Sequence, residues 1–165
     1  MLIGFMGAGK STVGRHLAQL TSLPRFETDE MVAAQAGLSI AEIFAQRGEE
    51  EFRRSETEAL ASFREEKAIL VTGGGILTRA ENAERLRQLG QMIHLTADEE
   101  TLFDRAAREG MRPLLQTGDP RATFAELLRT RAPLYRAAAD FTIDTTRLRA
   151  EEVAQAIVNW TATHA

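Results

Sequence analysis

The sequence predicts an α/β domain built on a mostly parallel, five-stranded sheet. Apolar runs of strand-like length alternate with helix-like stretches from one end of the chain to the other, which is typical of parallel sheets with helices on their faces. The first apolar run leads directly into a glycine-rich turn and an amphipathic helix. Because 165 residues suffice for one domain with a substantial core, we expect residues 1–165 to form a single domain.

Each predicted strand is short and is followed by helical sequence. The predicted strands cover residues 1–3, 25–27, 68–72, 92–95 and 141–143. The predicted helices cover about 10–20, 31–36, 40–44, 50–65, 79–89, 97–109, 122–132 and 151–160. Two of them open on capping boxes, Ser39-x-x-Glu42 and Thr96-x-x-Glu99. Few residues precede Gly4 compared with a mean strand of about 5–6 residues, so we expect a short first strand or, preferably, residues missing before Met1.

Composition excludes several classes of protein. The formal net charge is −4, so bulk charge gives no argument for nucleic acid or an anionic membrane as a partner. The absence of cysteine excludes disulfides, thiolate metal sites and a cysteine nucleophile. No apolar run approaches the ~20 residues of a membrane span, and the N-terminus lacks the pattern of a signal peptide. We therefore expect a cytoplasmic protein, and a monomer because the sequence shows no apolar surface stripe.

The first glycine-rich turn matches the phosphate-binding loop G-x-x-x-x-G-K-S/T, with the sequence Gly4-Phe5-Met6-Gly7-Ala8-Gly9-Lys10-Ser11. The glycines of such a loop let backbone N–H groups turn toward phosphates, the lysine reaches the transferring oxygens, and the serine hydroxyl ligates Mg²⁺. The N-terminus of the following helix adds favourable electrostatics for an anion. The residues that we assign to the nucleotide in this segment are Gly7, Ala8, Gly9, Lys10, Ser11 and Thr12.

The loop excludes one kind of nucleotide site and leaves two others open. A dinucleotide fingerprint requires G-x-G-x-x-G, and Gly7-Ala8-Gly9 lacks the third glycine. Kinases and hydrolytic switches both hold phosphates with the observed loop, so the loop alone does not separate them. A kinase also requires a second substrate site beside the γ-phosphate.

Three further features favour such a second site. Glu27 and Asp29 follow a short apolar stretch, where one could serve the metal and the other a reacting hydroxyl, although an acidic helix N-terminus explains them equally well. Arg53 offers a planar fork for a carboxylate, although a solvated helix arginine is the better interpretation of that residue alone. The three glycines at 73–75 follow a buried strand and let the backbone approach a ligand, with amides free to donate.

Six motifs, in this order and at suitable spacing, resemble the shikimate kinase family along nearly the whole chain. They are Gly-Phe-Met-Gly-Ala-Gly-Lys-Ser-Thr at 4–12, Thr28-Asp29, Glu51-Phe52-Arg53-Arg54, Gly73-Gly74-Gly75, Arg112-Pro113-Leu114-Leu115 and Arg131-Ala132-Pro133-Leu134-Tyr135. The resemblance implies a three-layer α/β/α P-loop kinase with an acceptor-binding region at about 28–62 and a mobile lid at about 110–121. It also implies ATP-dependent phosphorylation of shikimate to shikimate 3-phosphate, with Mg²⁺, on the route to aromatic amino acids.

The resemblance assigns the acceptor site to residues from four segments. By the family's pattern, Asp29 contacts the reacting hydroxyl, and Arg53 and Arg131 hold the substrate carboxylate. The glycines Gly73, Gly74 and Gly75 line the pocket. These roles suit phosphoryl transfer, in which positioning and charge neutralisation do most of the catalysis.

The resemblance also assigns the nucleotide and metal sites. Arg112 lies in the lid and reaches the phosphates, so that it is catalytic together with Lys10 and Asp29, while Arg105 packs on adenine. Ser11 and Glu27 are the metal residues. Many family members have Asp-x-Asp where this chain has Glu27-Thr28-Asp29, so the first acid here is one methylene longer and its metal role is less secure than that of Ser11.

Two other functions stay open on the sequence alone. A related P-loop kinase could act on another small hydroxy acid such as gluconate, or on a nucleotide, because two arginines favour a compact anionic acceptor without identifying it. A nucleotide-binding module could retain the loop and transfer nothing. The acceptor-site residues count against that second alternative.

Overall fold

The computed structural model describes residues 1–108 and 119–164 of the chain. These residues form five strands and seven α-helices. The strands are β1 (Leu2–Ile3), β2 (Arg25–Glu27), β3 (Ile69–Val71), β4 (Ile93–Thr96) and β5 (Phe141–Asp144). The helices are α1 (Lys10–Thr21), α2 (Thr28–Ala36), α3 (Ile40–Ser62), α4 (Ala80–Leu89), α5 (Glu99–Arg108), α6 (Pro120–Ala138) and α7 (Ala150–Thr163), and a 3₁₀ turn covers Ile76–Thr78. The predicted α/β class with a five-stranded parallel sheet is confirmed.

The central strand is β1, and the strand order is β2-β3-β1-β4-β5. Leu2 is in register with Val71 on one side and with Ile93 on the other. The chain therefore leaves β1 toward one edge of the sheet and later crosses to the other edge. Such a reversal opens a crevice for ligands outside the carboxyl ends of the strands, which here is where the phosphate-binding loop lies.

The main core consists of the strands and the helix faces packed on them. Both β1 and β3 are buried at every position, which explains why strands of two or three residues read as continuous apolar runs. Phe5, in the loop after β1, meets Phe124 of α6 edge-on, with ring centroids 5.0 Å apart. This contact fixes the phosphate-binding loop to the helix that carries Arg131. In the described part of the chain, no helix is long and apolar enough to span a membrane.

A second, smaller apolar cluster lies between α2 and α3. Its buried members are Val32, Ile43, Phe52 and Ala59. The two helices predicted at 40–44 and 50–65 form one element, α3, which Gly48 interrupts with φ of 80° and ψ of 173°. The capping box predicted at Ser39 and Glu42 is confirmed, with both of its hydrogen bonds present.

The cap of α5 and the end of α6 differ from the prediction. Thr96 is the last residue of β4 and does not cap α5; instead the carboxylate of Asp98 accepts a hydrogen bond from the Thr101 amide at 2.7 Å. Aspartate is as good an N-cap as threonine or better, and it stands nearer the helix. The sixth helix continues to Ala138 rather than to 132, although it contains Pro133. The buried side chain of Tyr135, beyond the proline, keeps this last stretch packed on the core.

Candidate active site

The phosphate-binding motif forms a tight loop between β1 and α1. Gly7 has φ of +78°, and a Cβ at this position would lie 2.1 Å from the carbonyl oxygen of Leu102, so only glycine fits. Lys10 is 8% exposed, and its Nζ donates hydrogen bonds to the carbonyl oxygens of Gly4 at 2.8 Å and Phe5 at 2.9 Å. A buried ammonium group and the N-terminus of α1 therefore lie at the same place, where an anion is favoured.

Beside the loop, two oxygen-bearing side chains from different elements meet. Ser11, on the first turn of α1, donates a hydrogen bond from Oγ to Oε2 of Glu27 at 3.1 Å. The other carboxylate oxygen of Glu27 accepts a hydrogen bond from Arg25. Hydroxyl and carboxylate oxygens are hard ligands, and Mg²⁺ commonly uses one or two of them together with phosphate oxygens and water. The two predicted metal residues are thus in contact, and their donor set fits Mg²⁺.

A cavity of about 320 Å³ opens at this edge of the sheet and adjoins a second pocket. The loop, helix and acidic residues that line the cavity include Met6, Gly7, Gly9, Lys10, Ser11, Thr12, Glu27 and Asp29. Asp29, Gly73 and Gly74 line both the cavity and the second pocket, which lies between α2, α3 and α6. A group bound in one pocket is therefore adjacent to a group bound in the other, with Asp29 between them.

The second pocket contains a buried arginine that is held on two sides. Arg53 is 8% exposed, and its Nη1 donates to Oε2 of Glu56 at 2.6 Å. Its Nε and Nη2 donate to one oxygen of Glu49 at 3.3 Å and 3.1 Å. Burial acts to lower the pKa of Arg53, but Glu56 and Glu49 raise it above the usual value, so the guanidinium stays charged.

Glu56 is a site residue that the sequence analysis did not identify. It is fully buried, and its Oε1 has no hydrogen-bond partner in residues 1–108 and 119–164. Burial raises the pKa of Glu56 above the usual value, while Arg53 acts in the opposite direction. The spacing of three residues from Arg53, which places both side chains on one helix face, was the signal that could have revealed it.

A second buried arginine lines the same pocket from α6. Arg131 is 6% exposed, and in the described residues no carboxylate lies within ion-pair distance of it. Its Nη1 donates to the carbonyl oxygen of Gly74 at 3.4 Å, and the hydroxyl of Tyr135 donates to the same oxygen. Burial lowers the pKa of Arg131. Within the described residues, the guanidinium of Arg131 has a carbonyl oxygen and the Phe5 ring beside it but no paired carboxylate, so an anion in this pocket would be favoured.

The three glycines after β3 bring backbone against these charged side chains. A Cβ at Gly73 would lie 2.5 Å from Glu56 Oε1 and 2.6 Å from Asp29 Oδ1, and a Cβ at Gly75 would lie 2.2 Å from Arg53 Nη1. The close approach predicted for this segment is therefore present, although toward protein groups. Of the amides predicted to be free to donate to a ligand, that of Gly73 is already used, because its N–H donates to Oγ1 of Thr28 at 2.8 Å.

On the other side of the loop, Arg105 lies at a separate cavity of about 240 Å³. Its Nη1 donates to Oγ1 of Thr145 and its Nη2 to the carbonyl oxygen of Thr145, each at 2.9 Å. Two bonds to one residue hold the guanidinium in a fixed plane, which leaves its face available for stacking. Leu148 adds an apolar wall to this cavity.

The structure brings the predicted site residues that it describes to one edge of the sheet. They are Gly7, Ala8, Gly9, Lys10, Ser11, Thr12, Glu27, Asp29, Arg53, Gly73, Gly74, Gly75, Arg105 and Arg131. Arg112 and most of the predicted lid at 110–121 lie outside the described residues.

Comparisons with known proteins identify the family. The family profile described as shikimate kinase matches residues 6–162. The shikimate kinase of Thioalkalivibrio sulfidiphilus is 44% identical over 158 residues, which cover 95% of this chain and 83% of that protein. The chain belongs to the shikimate kinase family.

A solved shikimate kinase supports the same conclusion at the level of structure. The protein from Acinetobacter baumannii, solved in complex with shikimate, is 40% identical and superposes with a TM-score of 0.92, covering 99% of this chain and 92% of that one. The shikimate kinase from Aquifex aeolicus gives a TM-score of 0.82 at 30% identity, covering 99% of this chain and 95% of that one. These shikimate kinases confirm the family resemblance and the three-layer P-loop kinase fold that the motifs implied.

Proposed function

We propose that this member of the shikimate kinase family transfers the γ-phosphoryl group of ATP to shikimate and releases shikimate 3-phosphate. The observation that carries the proposal is a pair of buried guanidiniums, Arg53 and Arg131, in a pocket that shares Asp29 with the phosphate-binding cavity. Family membership supports shikimate as the acceptor. The reaction belongs to the route to aromatic amino acids. A cytoplasmic location and a monomeric state stay predictions.

ATP lies along the loop and the first turn of α1. The loop residues from Gly7 to Thr12 bind its phosphates, and Lys10 leaves the loop carbonyls to neutralise the transferring oxygens. Arg105 stacks on adenine, held in plane by Thr145. A phosphate contact by Arg112 and a lid at 110–121 stay predictions from the family resemblance, because Arg112 and most of that range lie outside the described residues.

Ser11 and Glu27 would hold Mg²⁺ beside the phosphates. When bound, this ion neutralises phosphate charge, which is its usual part in phosphoryl transfer. The longer side chain of Glu27 reaches the Ser11 hydroxyl, so the substitution of the family's first aspartate does not separate the two metal residues.

Shikimate occupies the pocket between α2, α3 and α6. Its carboxylate binds the guanidiniums of Arg53 and Arg131, which hold it in one orientation. Its reacting hydroxyl then points toward the loop, where Asp29 accepts a hydrogen bond and takes the proton as the phosphoryl group arrives. The protein's main contribution is to align the hydroxyl with the γ-phosphate.

A coupled assay of ADP release tests the proposed function. The enzyme is given Mg-ATP with shikimate, gluconate, AMP or no acceptor. We expect turnover with shikimate and only background with the others, because the two buried cations favour an anionic hydroxy acid and family membership favours shikimate over gluconate. Acceptor-independent release, or stimulation by gluconate or AMP alone, would contradict the proposal and favour a hydrolytic module or a different kinase.

Gly75→Ala is expected to weaken shikimate binding without unfolding the protein. The added methyl group would lie 2.2 Å from Arg53 Nη1, and because this atom ends a long side chain rather than belonging to the backbone, we expect the guanidinium to shift between its two glutamates. The carboxylate site is then distorted, and we expect the shikimate KM to rise about tenfold while the ATP KM changes little, an effect of about 1.4 kcal/mol.

Gly74→Ala is the comparison variant for this experiment. A Cβ at Gly74 would meet no atom closer than 3.5 Å, so its effect on the shikimate KM should be clearly smaller. Steady-state kinetics on both variants provides the measurement. Equal shikimate KM values for the two variants would show that the contact with Arg53 does not cause the rise in KM.

A further inference from the structure

Arg25 and Glu27 lie two residues apart on β2, so their side chains share one face of the strand. The Nη1 of Arg25 donates to Oε1 of Glu27, and the other carboxylate oxygen, Oε2, accepts from Ser11 Oγ at 3.1 Å. Both partners are largely removed from solvent, with 22% and 16% of their side chains exposed. The carboxylate of Glu27 is thus held from two sides, one oxygen to each.

The side chain of Arg25 lies between α1 and α2. Its methylene groups pack against Gly14 of α1, where a Cβ would lie 3.5 Å from Arg25 Cδ. Its Nη2 lies 3.5 Å from Glu30, whose side chain is 64% exposed. Because the stem is packed and the head is paired, Arg25 is a fixed support rather than a solvated surface cation.

We propose that Arg25 is a positioning residue for the metal site, which fixes Glu27 so that Oε2 stays beside the Ser11 hydroxyl. The inference rests on the proposed function only in taking Ser11 and Glu27 as the metal residues. A glutamate has one more rotatable bond than the aspartate of many family members, and this added freedom must be lost when the carboxylate is placed. The contact with Arg25 removes it in advance.

Arg25 acts on a bound cation in two opposite ways: it positions Glu27, which strengthens binding, and its positive charge repels the cation, which weakens binding. Comparing Mg²⁺ with Ca²⁺ distinguishes the two effects. Mg²⁺ requires nearly ideal octahedral geometry, whereas Ca²⁺ accepts flexible coordination. Loss of positioning therefore weakens Mg²⁺ more than Ca²⁺. Loss of the arginine's positive charge alone would strengthen the binding of both ions.

The test measures ADP binding to the full-length protein by calorimetry in Mg²⁺, in Ca²⁺ and in EDTA. The ratio of the Kd for ADP measured in EDTA to the Kd for ADP measured with the metal reports how much the ion strengthens ADP binding. For Arg25→Met we expect the Mg²⁺ ratio to fall about tenfold, as for other residues that orient metal ligands, and the EDTA value to stay at wild type. The Ca²⁺ ratio should fall by less than about threefold.

Two further variants connect the effect to Glu27. In a Glu27→Ala background, Arg25→Met should not lower the Mg²⁺ ratio, since the residue that Arg25 positions is gone and only the effect of its charge remains. Arg87→Met is the control, because Arg87 on α4 is 52% exposed and pairs only with Glu84 in the described structure; it should match wild type. Arg25→Lys, a milder change, should fall between Arg25→Met and wild type, and it serves if the methionine variant folds poorly.

Several results would overturn the proposal. They are tighter binding of both ions by Arg25→Met, equal losses for Mg²⁺ and Ca²⁺, an unchanged Mg²⁺ ratio, or a further loss in the Glu27→Ala background. No arm of the experiment contains shikimate. A failure to phosphorylate shikimate would therefore refute the proposed function and leave the role of Arg25 intact. A calorimetric result that overturns the role of Arg25 would likewise leave the proposed function intact.

Discussion

Asp29→Asn is expected to lower kcat about 10³-fold, because asparagine cannot take the proton of the reacting hydroxyl. Asp29 is the acid that lines both the phosphate-binding cavity and the acceptor pocket, so the hydroxyl and the phosphoryl group meet beside it. The substitution keeps the size of the side chain. We therefore expect the ATP KM to stay within about twofold of wild type, since loss of a group used in the transition state lowers kcat rather than ground-state binding.

The neighbouring acid provides the control for Asp29→Asn. Glu30 is the next residue on α2, and its side chain is 64% exposed. Glu30→Gln removes the same charge from nearly the same place and keeps a side-chain oxygen within reach of Arg25, so we expect its kcat to stay within about twofold of wild type. Steady-state kinetics with shikimate and Mg-ATP decides the matter. An unchanged kcat in Asp29→Asn would show that Asp29 does not take the proton of the reacting hydroxyl.

Arg53→Lys is expected to raise the shikimate KM about 10- to 100-fold, the cost of about 1.5–3 kcal/mol for losing charge-assisted hydrogen bonds. The guanidinium uses Nη1 for Glu56 and Nε with Nη2 for Glu49, which leaves further N–H groups of the same plane for an acceptor carboxylate. A lysine ammonium is a point charge that cannot bond both glutamates and a carboxylate in one plane. The ATP KM should change little.

Arg54→Lys is the matched control for Arg53→Lys. Arg54 is the adjacent residue on α3, and its side chain is 62% exposed and pairs with Glu51. We expect its shikimate KM to equal that of wild type. Thermal unfolding of both variants separates binding from folding, because removing one partner of the buried Glu56 also costs stability. A wild-type shikimate KM in Arg53→Lys would show that Arg53 does not hold the carboxylate.

The phosphate-binding loop could be predicted from the sequence because its chemistry is local. Its glycines and Lys10 are contiguous, and the strand and helix around them have clear apolar patterns, so motif and context agreed. The capping box at Ser39 was predictable for the same reason, since its two partners are three residues apart. Features that depend on a few neighbouring residues can be read without the fold.

Partners that depend on burial could not be predicted in the same way. The sequence around Arg53 shows acidic residues at several helical spacings, and only the fold shows that Glu56 is fully buried while Glu49 is half-exposed. The Gly74 carbonyl that receives Arg131 comes from a segment far away in sequence. The cap of α5 was misread because Thr96 and Asp98 are both acceptable caps, and the end of β4 decides between them.

The net charge of −4 was a poor guide to the ligands, because the buried cations are few and local. Lys10, Arg53 and Arg131 are each less than 9% exposed and lie at one edge of the sheet. Over the whole chain, 24 acidic residues outnumber 20 basic ones, so the bulk charge hides these three buried cations. A cleft with its own local charge is what two anionic substrates require.

The most direct test of the central claim is the structure of the product formed from ATP and shikimate. Phosphorus NMR of a completed reaction, correlated with the proton spectrum, identifies the oxygen that carries the new phosphate. We expect one equivalent of ADP and a single new phosphomonoester coupled to the proton on carbon 3 of shikimate. Phosphate on another hydroxyl, or ADP with inorganic phosphate and unchanged shikimate, would contradict the assignment of this pocket.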